Sequence, residues 1–354
     1  MIKKLLTILA LGVCMSANAQ SDSKTPKDND KDIKNFIGKI IGTKTEVPKA
    51  SFIFDISKSP ELKLNVPVPL KNTIYNQLYF DGKVASSNDF TPLFKSGTWL
   101  PDLGINLNYT KFLSTTTKYY TSEIEEQYNG DISKVPIDSA SQLFWLWSNI
   151  KAGYNYATLE TYNNNISLLN KEKFSSKSLN SLIVKADMNF FFYPSKRKLK
   201  FLSFNGKVGY EYKTNDNNYS SLRSVNIKEY KTVSDGSGNT MEVSSDAKKV
   251  KEGTLIIRNT SSINYNIMAL ISTSKSFYIG FSTYGKQTLR KDLKSLDAGF
   301  GITVPITKND NTLASFTLKY EIPDINDDIS DIAIKEKGIL GFSIGLPLNV
   351  FGRN

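Results

Sequence analysis

The stretch 340-LGFSIGLPLNV-350, close to the end of the chain, alternates between two kinds of residue without a miss. The apolar positions are Leu340, Phe342, Ile344, Leu346, Leu348 and Val350. The positions between them hold Gly341, Ser343, Gly345, Pro347 and Asn349. Because successive side chains of a β-strand point to opposite faces, this stretch predicts a strand with one wholly apolar face.

The same alternation returns over long stretches of the second half of the chain. The clearest are Leu182–Phe192, Leu202–Tyr212 and Leu296–Ile306. Strands of a soluble β-sandwich usually have about five or six residues, whereas a tilted strand that crosses a membrane needs about 9–11. The stretches therefore favour an all-β fold, an antiparallel transmembrane β-barrel, over a sandwich. No fixed-period repeat indicates a β-helix.

The lengths of the predicted connections point the same way. Short connections at 194–200, 273–276 and 307–311 alternate with longer ones at 159–178, 214–253, 286–294 and 323–336. Membrane barrels have short periplasmic turns and longer external loops, and bacterial ones have even strand numbers, so we predict about 12 strands, within roughly 10–14. The segment 114–141 is long for a turn, and its side of the membrane stays open.

The first 50 residues have a different character. Residues 1–19 read as a signal peptide with Lys3 and Lys4 at its start, and cleavage is predicted between Ala19 and Gln20. Lipidation of Cys14 is the alternative. Residues 20–50 are polar, with apolar residues at helical spacing from Ile33 to Ile41, and predict a periplasmic segment with a short amphipathic helix. The barrel is then assigned to residues 51–354.

Composition argues against an enzyme. The chain has no histidine and one cysteine, so it lacks the residues that most zinc sites, Ser-His-Asp triads and acid–base centres near neutral pH use. No phosphate-binding loop or metal-ligand spacing is present, and we predict neither a catalytic residue, a metal site nor a cofactor. The formal charge is +11, or +9 without Lys3 and Lys4, which for an exported protein favours anionic lipid or anionic solutes over nucleic acid.

Both ends of the chain resemble Gram-negative outer-membrane β-barrel proteins. The terminal amphipathic strand, closed by Phe351, resembles the last strand of such barrels, and the 17-ANAQ-20 junction resembles those of Bacteroidota. The resemblance carries no family-specific motif. It implies location in the cell outer membrane, contact with outer-membrane lipid and lipopolysaccharide, and insertion by the barrel-assembly machinery.

Charged residues on the polar faces of the predicted strands are the candidates for a functional lumen. They are Lys151, Lys185, Asp187, Lys207, Glu211, Lys213, Asp297, Lys319 and Glu321. Charges inside a membrane barrel are costly unless they are paired or hydrated. Two interpretations stay open, a salt-bridge network that fills a narrow barrel and a hydrated, mildly basic pore.

Aromatic residues near the predicted strand ends indicate a membrane-interface girdle. The candidates are Phe190, Phe192, Tyr193, Tyr210, Tyr212 and Phe351. Trp145 and Trp147 are assigned to the same girdle. Basic residues from Lys196 to Lys198 follow the aromatic cluster and fit an interface position.

Two hypotheses for function follow. The first is a passive channel or a structural barrel with a polar lumen. The second is an interaction barrel, either a subunit of an export or assembly complex or a surface adhesin, that uses residues 20–50 or the segment 214–253. That segment holds a turn at 235-DGSGN-239 and predicts a projecting hairpin. The sequence does not name a substrate or partner.

Overall fold

Long β-strands form where apolar and polar residues alternate. The computed structural model describes residues 50–56, 61–68, 76–86, 94–95, 98–99, 101–118, 129, 142–164, 173–193, 202–217, 219, 222–234, 240–272, 277–289, 295–308, 311–326 and 337–348. The predicted signal peptide, the helix predicted within 20–50 and Phe351 lie outside these residues.

The strands of the first half are β1 (Ser51–Ile56), β2 (Glu61–Pro67), β3 (Asn76–Ser86), β4 (Phe94–Lys95), β5 (Thr98–Trp99), β6 (Pro101–Lys118), β7 (Gln142–Tyr162) and β8 (Phe174–Tyr193). Those of the second half are β9 (Leu202–Asn217), β10 (Arg223–Ser234), β11 (Thr240–Glu252), β12 (Ile257–Ser272), β13 (Tyr278–Thr288), β14 (Leu296–Lys308), β15 (Asn311–Ile322) and β16 (Ile339–Pro347). The opening stretch of the sequence therefore forms β16, which ends at Pro347.

Twelve of these strands close into an antiparallel barrel. The order around it is β1-β16-β15-β14-β13-β12-β9-β8-β7-β6-β3-β2, and β2 returns to β1. Closure is completed by β1 and β16, where Ser51 pairs with Pro347 and Ile56 with Phe342. The predicted fold class and the predicted strand number are confirmed. Among the described residues, no helix has the length and apolar character needed to cross a membrane.

The two ends of the barrel differ in their connections. At the end where β1 begins and β16 ends, here called the turn end, three connections are short: 194–201, 273–277 and 309–310. At the opposite, loop end lie the connections 57–60, 87–100, 163–173, 218–256, 289–295 and 323–338, of which 57–60 is also short. The segment predicted as 114–141 joins β6 to β7 at the turn end. It covers only 119–141, because β6 continues past a register shift at Phe112 to Lys118.

A hairpin of β10 and β11 rises from the loop-end connection between β9 and β12, as the sequence predicts. Its last residues, Lys251 and Glu252, pair in parallel with Thr161 and Tyr162 at the end of β7. The peptide N–H of Gly253, which has a φ of 126°, donates to the Tyr162 carbonyl at 3.4 Å. The hairpin is therefore joined to the wall of the barrel at its root.

The distribution of polarity is inverted relative to a water-soluble barrel. Outward-facing residues are apolar and exposed, with Ile105, Ile150, Leu182, Phe300 and Leu318 as examples on five strands. The alternate positions carry buried polar residues such as Asn189, Asn205, Asn266, Thr303 and Ser343. An apolar outer face around a polar interior is the arrangement of a barrel surrounded by hydrocarbon.

Candidate functional site: the barrel interior

The inner face of the barrel is layered along its axis. From the turn end upward, β7 presents Trp145, Trp147, Asn149 and Lys151 on alternate positions. Following β8 from its turn-end terminus gives the same sequence of chemistry, with Phe191, Asn189, Asp187 and Lys185. Since the register pairs Trp145 with Phe191 and Trp147 with Asn189, these residues form matching levels. The interior passes from aromatic to amide to charged.

The aromatic layer is a hydrophobic cluster inside the turn end of the barrel. It contains Phe112, Trp145, Trp147, Phe191, Met268 and Leu270, and Tyr193 and Tyr278 pack against it. Phe112 stacks on Trp147 with ring centroids 5.5 Å apart, and Trp145 meets Phe191 at 4.8 Å. Both tryptophans are 1% exposed. The cluster therefore places apolar side chains of β6, β7, β8 and β12 together inside the turn end.

Three aromatic predictions are corrected by this cluster. Trp145 and Trp147 do not belong to an outer girdle, because they share the inner face of β7 with Asn149 and Lys151. Tyr193 packs against the interior cluster instead of facing outward. Phe190 and Phe192 occupy the outer alternation of β8, and Tyr210 and Tyr212 are exposed on the outer face of β9.

Small polar side chains line the rest of the inner face, and two of them, Asn189 and Asn205, pair with Trp147 and Phe191 of the cluster. Asn189, Asn205, Asn266, Thr303, Ser315 and Ser343 all have 0% exposure. Thr303 and Thr317 hydroxyls lie 3.0 Å apart, and the Thr110 hydroxyl donates to Asn149 Oδ1 at 2.7 Å. These contacts link neighbouring strands through buried hydrogen-bonding side chains.

Ion pairs form the third layer, and several of them reach across an intervening strand. Lys151 on β7 contacts Asp81 on β3 at 2.7 Å, and Lys286 on β13 contacts Glu211 on β9 at 2.8 Å. Lys319 on β15 contacts Asp55 on β1. Because β6, β12 and β16 lie between the respective partners, these contacts are made on the concave, inner side of the wall.

Other charged pairs lie within single strands or between neighbours. Lys185 contacts Asp187 at 3.1 Å and Lys213 contacts Asp216 at 2.6 Å. Lys63 and Lys83 both contact Glu61. The described lysines of this layer are accompanied by a comparable set of carboxylates, so their charges largely compensate one another.

The predicted lumen candidates can now be placed. Lys151, Lys185, Asp187, Glu211, Lys213 and Lys319 belong to the ion pairs above, and Lys207 is buried on the inner face of β9. Glu321 shares the inner alternation of β15 with Lys319. Asp297 lies at the loop end of β14, where it accepts hydrogen bonds from the Asp324 peptide N–H at 2.9 Å and the Ser295 hydroxyl at 3.4 Å.

Several partners were not predicted from the sequence. Asp55, Asp81, Lys286 and Asp216 complete the ion pairs, and they were missed because pairing between distant strands depends on register. Met268 and Leu270 were also missed as interior residues. The signal that would have found them is their position: Asn264, Asn266, Met268 and Leu270 occupy every second residue of β12 and therefore lie on one face.

The loop end of the interior is partly covered by the root of the hairpin. Leu159 and Leu179, on the inner faces of β7 and β8, form a second buried cluster with Tyr219. Leu222, Leu255 and Ile257 pack against this cluster. The segments on both sides of the hairpin therefore lie against the inner wall.

Among the described residues, no group of three or more Asp, Glu, Cys or His side chains is placed to hold a metal ion.

Comparison with known proteins gives likenesses of fold only. The chain matches no protein-family model and no curated protein sequence. Solved structures that it is similar to include the NanC porin, with 8% identity, a TM-score of 0.36, and coverage of 85% of this chain and 100% of that one. The KdgM porin has 8% identity, a TM-score of 0.34 and coverage of 85% and 99%. The β domain of the Bordetella autotransporter BrkA has 7% identity, a TM-score of 0.32 and coverage of 84% and 98%.

Proposed function

We propose that this chain is an outer-membrane β-barrel whose interior is closed, and that it serves as a structural barrel instead of a passive channel. The observation that carries the proposal is the aromatic cluster around Trp145 and Trp147 at the turn end of the interior.

The outer face supports placement in a membrane. On β8 the outward residues Leu182, Val184, Ala186, Met188, Phe190 and Phe192 are all apolar. They cover the length of about 9–11 residues that a tilted membrane-spanning strand requires. Water would make this face costly, since each apolar side chain kept in water forgoes roughly 1.5–3 kcal/mol of burial energy. Hydrocarbon removes that cost.

The connections of the second half of the chain support a direction of insertion. Outer-membrane barrels keep their short turns in the periplasm and their long loops outside. The turn end is then periplasmic, the hairpin of β10 and β11 is external, and the aromatic cluster lies toward the periplasmic leaflet.

The layers of the interior support its closure. A conducting pore needs a continuous hydrated path, and the two tryptophans, each 1% exposed, support an apolar interruption of such a path. Above this section the lysines are held by carboxylates, so the ion-pair layer presents little net charge to attract a solute. The interpretation of the charged residues as a network that fills a narrow barrel is the one this geometry favours.

Planar-bilayer conductance tests the proposal. We expect the purified full chain to be silent at high protein load, and the double variant W145A/W147A to give discrete conductance steps. The matched control is F144A/L146A, which shortens the neighbouring outward-facing side chains of the same strand and should stay silent. Steps from the unaltered protein would contradict closure and support the passive channel.

A second candidate function, an interaction barrel, is favoured by the docked root of the hairpin. Paired backbone at Lys251 and Glu252 and the cluster around Leu159 hold the hairpin in a defined place on the wall. Replacing residues 226–249 by a short Gly-Ser turn should abolish in-membrane cross-linking to a specific partner. Cross-linked products that are the same with and without the hairpin would count against this candidate.

A further inference from the structure

A change in chemistry marks the upper border of the apolar outer face. On β7 the outward residues Tyr154 and Tyr156 are followed by Thr158, and on β8 Leu182 is preceded by Asn180 and Ser178. On β9 Tyr212 is followed by Thr214, and on β12 Ile263 is preceded by Ser261 and Asn259. These four strands are neighbours, so their polar residues form one surface, called here the outer polar patch: Thr158, Ser178, Asn180, Thr214, Asn259 and Ser261.

The patch is tied together by hydrogen bonds. The Tyr156 hydroxyl donates to Ser178 Oγ at 3.2 Å, and the Thr158 and Ser178 hydroxyls lie 3.3 Å apart. The Tyr210 hydroxyl donates to Ser261 Oγ at 2.8 Å. Because these groups are exposed and already oriented, they lose little conformational freedom when they bind a polar ligand.

Further contacts hold the backbone between β8 and β12. The Leu182 N–H donates to Thr214 Oγ1 at 2.8 Å. Asn215 has a φ of 48°, its side-chain amide donates to the Asn180 carbonyl at 2.8 Å, and its N–H donates to Asn259 Oδ1 at 3.1 Å. The patch is therefore a structured part of the wall.

The chemistry of the patch selects the kind of ligand. Every member is an uncharged alcohol or amide, and Glu160 is the next outward residue on β7 beyond Thr158. Neutral donors and acceptors suit hydroxyl groups, whereas phosphate is usually held by Arg or Lys and is repelled by a carboxylate. Directly below lie four exposed tyrosines, Tyr154, Tyr156, Tyr210 and Tyr212, with exposures of 45%, 38%, 46% and 38%. Their ring faces offer a flat apolar surface beside the hydroxyl groups of the patch. A sugar ring is complementary to this surface, because it has an apolar face and hydroxyl groups around its edge.

We propose that the outer polar patch binds the neutral sugar headgroups of glycolipids in the outer leaflet. The inference rests on the proposed membrane placement, which sets the patch just above the apolar band on the external side. Lys111 offers the contrast. It is exposed on the outer face of β6 near the turn end, where it suits a phosphate of the inner leaflet.

Spin-labelled lipids measure the preference directly. The full chain is reconstituted in phosphatidylethanolamine bilayers, and electron paramagnetic resonance gives the relative association constants of spin-labelled diglucosyl diacylglycerol and phosphatidylglycerol against phosphatidylethanolamine. We expect the glycolipid to be preferred by about 3-fold or more, the size of effect that a single net hydrogen bond gives. The triple variant T158V/S178A/S261A should bring this preference to about one, since it removes three hydroxyl groups.

Two further measurements separate the outcomes. The matched variant K111Q should keep the glycolipid preference and lose any preference for phosphatidylglycerol. Every variant must show the same heat-modified migration on a denaturing gel as the unaltered protein. Y210F is a milder test. It removes the hydroxyl that donates to Ser261 and should lower the glycolipid preference only partially. Equal association of all three lipids, or a glycolipid preference that survives the triple variant, would overturn the proposal. A phosphatidylglycerol preference abolished by the triple variant would also overturn it, in favour of a phosphate site. None of these results alters the conductance test, so the closed barrel and the sugar-binding patch can fail separately.

Discussion

Lys151 Nζ on β7 lies 2.7 Å from Asp81 Oδ2 on β3, with the whole of β6 between the two strands. Asp81 also accepts hydrogen bonds from the side-chain amides of Asn106 and Asn108, both on β6. One carboxylate thus joins three consecutive strands on the concave side of the wall. Their register relative to one another is fixed by this contact as well as by the backbone ladder.

Replacing Asp81 by Ala should destabilise the barrel. The substitution leaves an ammonium group and two amides without their shared acceptor, and we expect the free energy of unfolding to fall by about 2–3 kcal/mol, below the ~3–5 kcal/mol of a fully buried pair because both partners keep some exposure. Urea unfolding in lipid bilayers measures the change. The double variant K151M/D81L is the control, and it should recover much of the loss. Equal losses in D81A and the double variant would contradict the role of the ion pair.

Gly209 should not tolerate even one added carbon. It lies on the inner face of β9, and the Asp187 carboxylate occupies the place where its Cβ would stand. Gly209→Ala would push Asp187 away from Lys185, and we expect a loss of about 1–3 kcal/mol, the usual cost of overpacking. Gly82, which has nothing within 4 Å of the corresponding position, is the matched control. Equal stability of G209A and G82A in urea unfolding would contradict the close approach of the Asp187 carboxylate to Gly209.

The alternation of residues was enough to predict the wall of this barrel. It placed Lys185 and Asp187 on one face of β8 and Leu182 and Val184 on the other, and burial agrees with both assignments. The period of two is a local property, because each residue needs only its own strand to set its face. The strand number followed in the same way, from counting local patterns.

The contents of the interior could not be predicted by residue type. Tryptophan is common in the outer girdle, and residue type therefore predicts that position for Trp145 and Trp147. Both nevertheless lie on the same face of β7 as Asn149, and Leu146 lies on the other face. Alternation was the better guide than composition. The pairing of Lys319 with Asp55, 264 residues apart in the chain, depends on closure of the barrel and has no local signal.

The cluster at the root of the hairpin should control how firmly the hairpin is held. Leu159 is 3% exposed and packs with Leu179 and Tyr219. Leu159→Ala should remove about 2–3 kcal/mol of local packing and so accelerate amide hydrogen exchange at Lys251 and Glu252 by about 30- to 160-fold. Leu182→Ala, on the 56% exposed outer position of β8, should leave exchange there unchanged. Unchanged exchange in L159A would mean that the backbone pairs with β7 hold the hairpin alone.

Lys337 should be the most sensitive lysine of the loop end. Its ammonium group donates to the Asp324 carbonyl at 2.7 Å and lies 3.5 Å from Asp324 Oδ2, and the two side chains are 3% and 2% exposed. Asp324, with a φ of 49°, in turn donates its N–H to Asp297 on β14, so the contact fastens the β15–β16 connection to the neighbouring strand. Lys337→Met removes the ammonium group that faces the buried Asp324 carboxylate, and we expect a loss of about 3–5 kcal/mol. Lys63→Met, at a side chain that is 46% exposed, should cost less than about 1 kcal/mol. The midpoint of heat-modified migration ranks the two variants, and a midpoint for K337M at or above that for K63M would show that burial of the Asp324 pair does not stabilise the loop end.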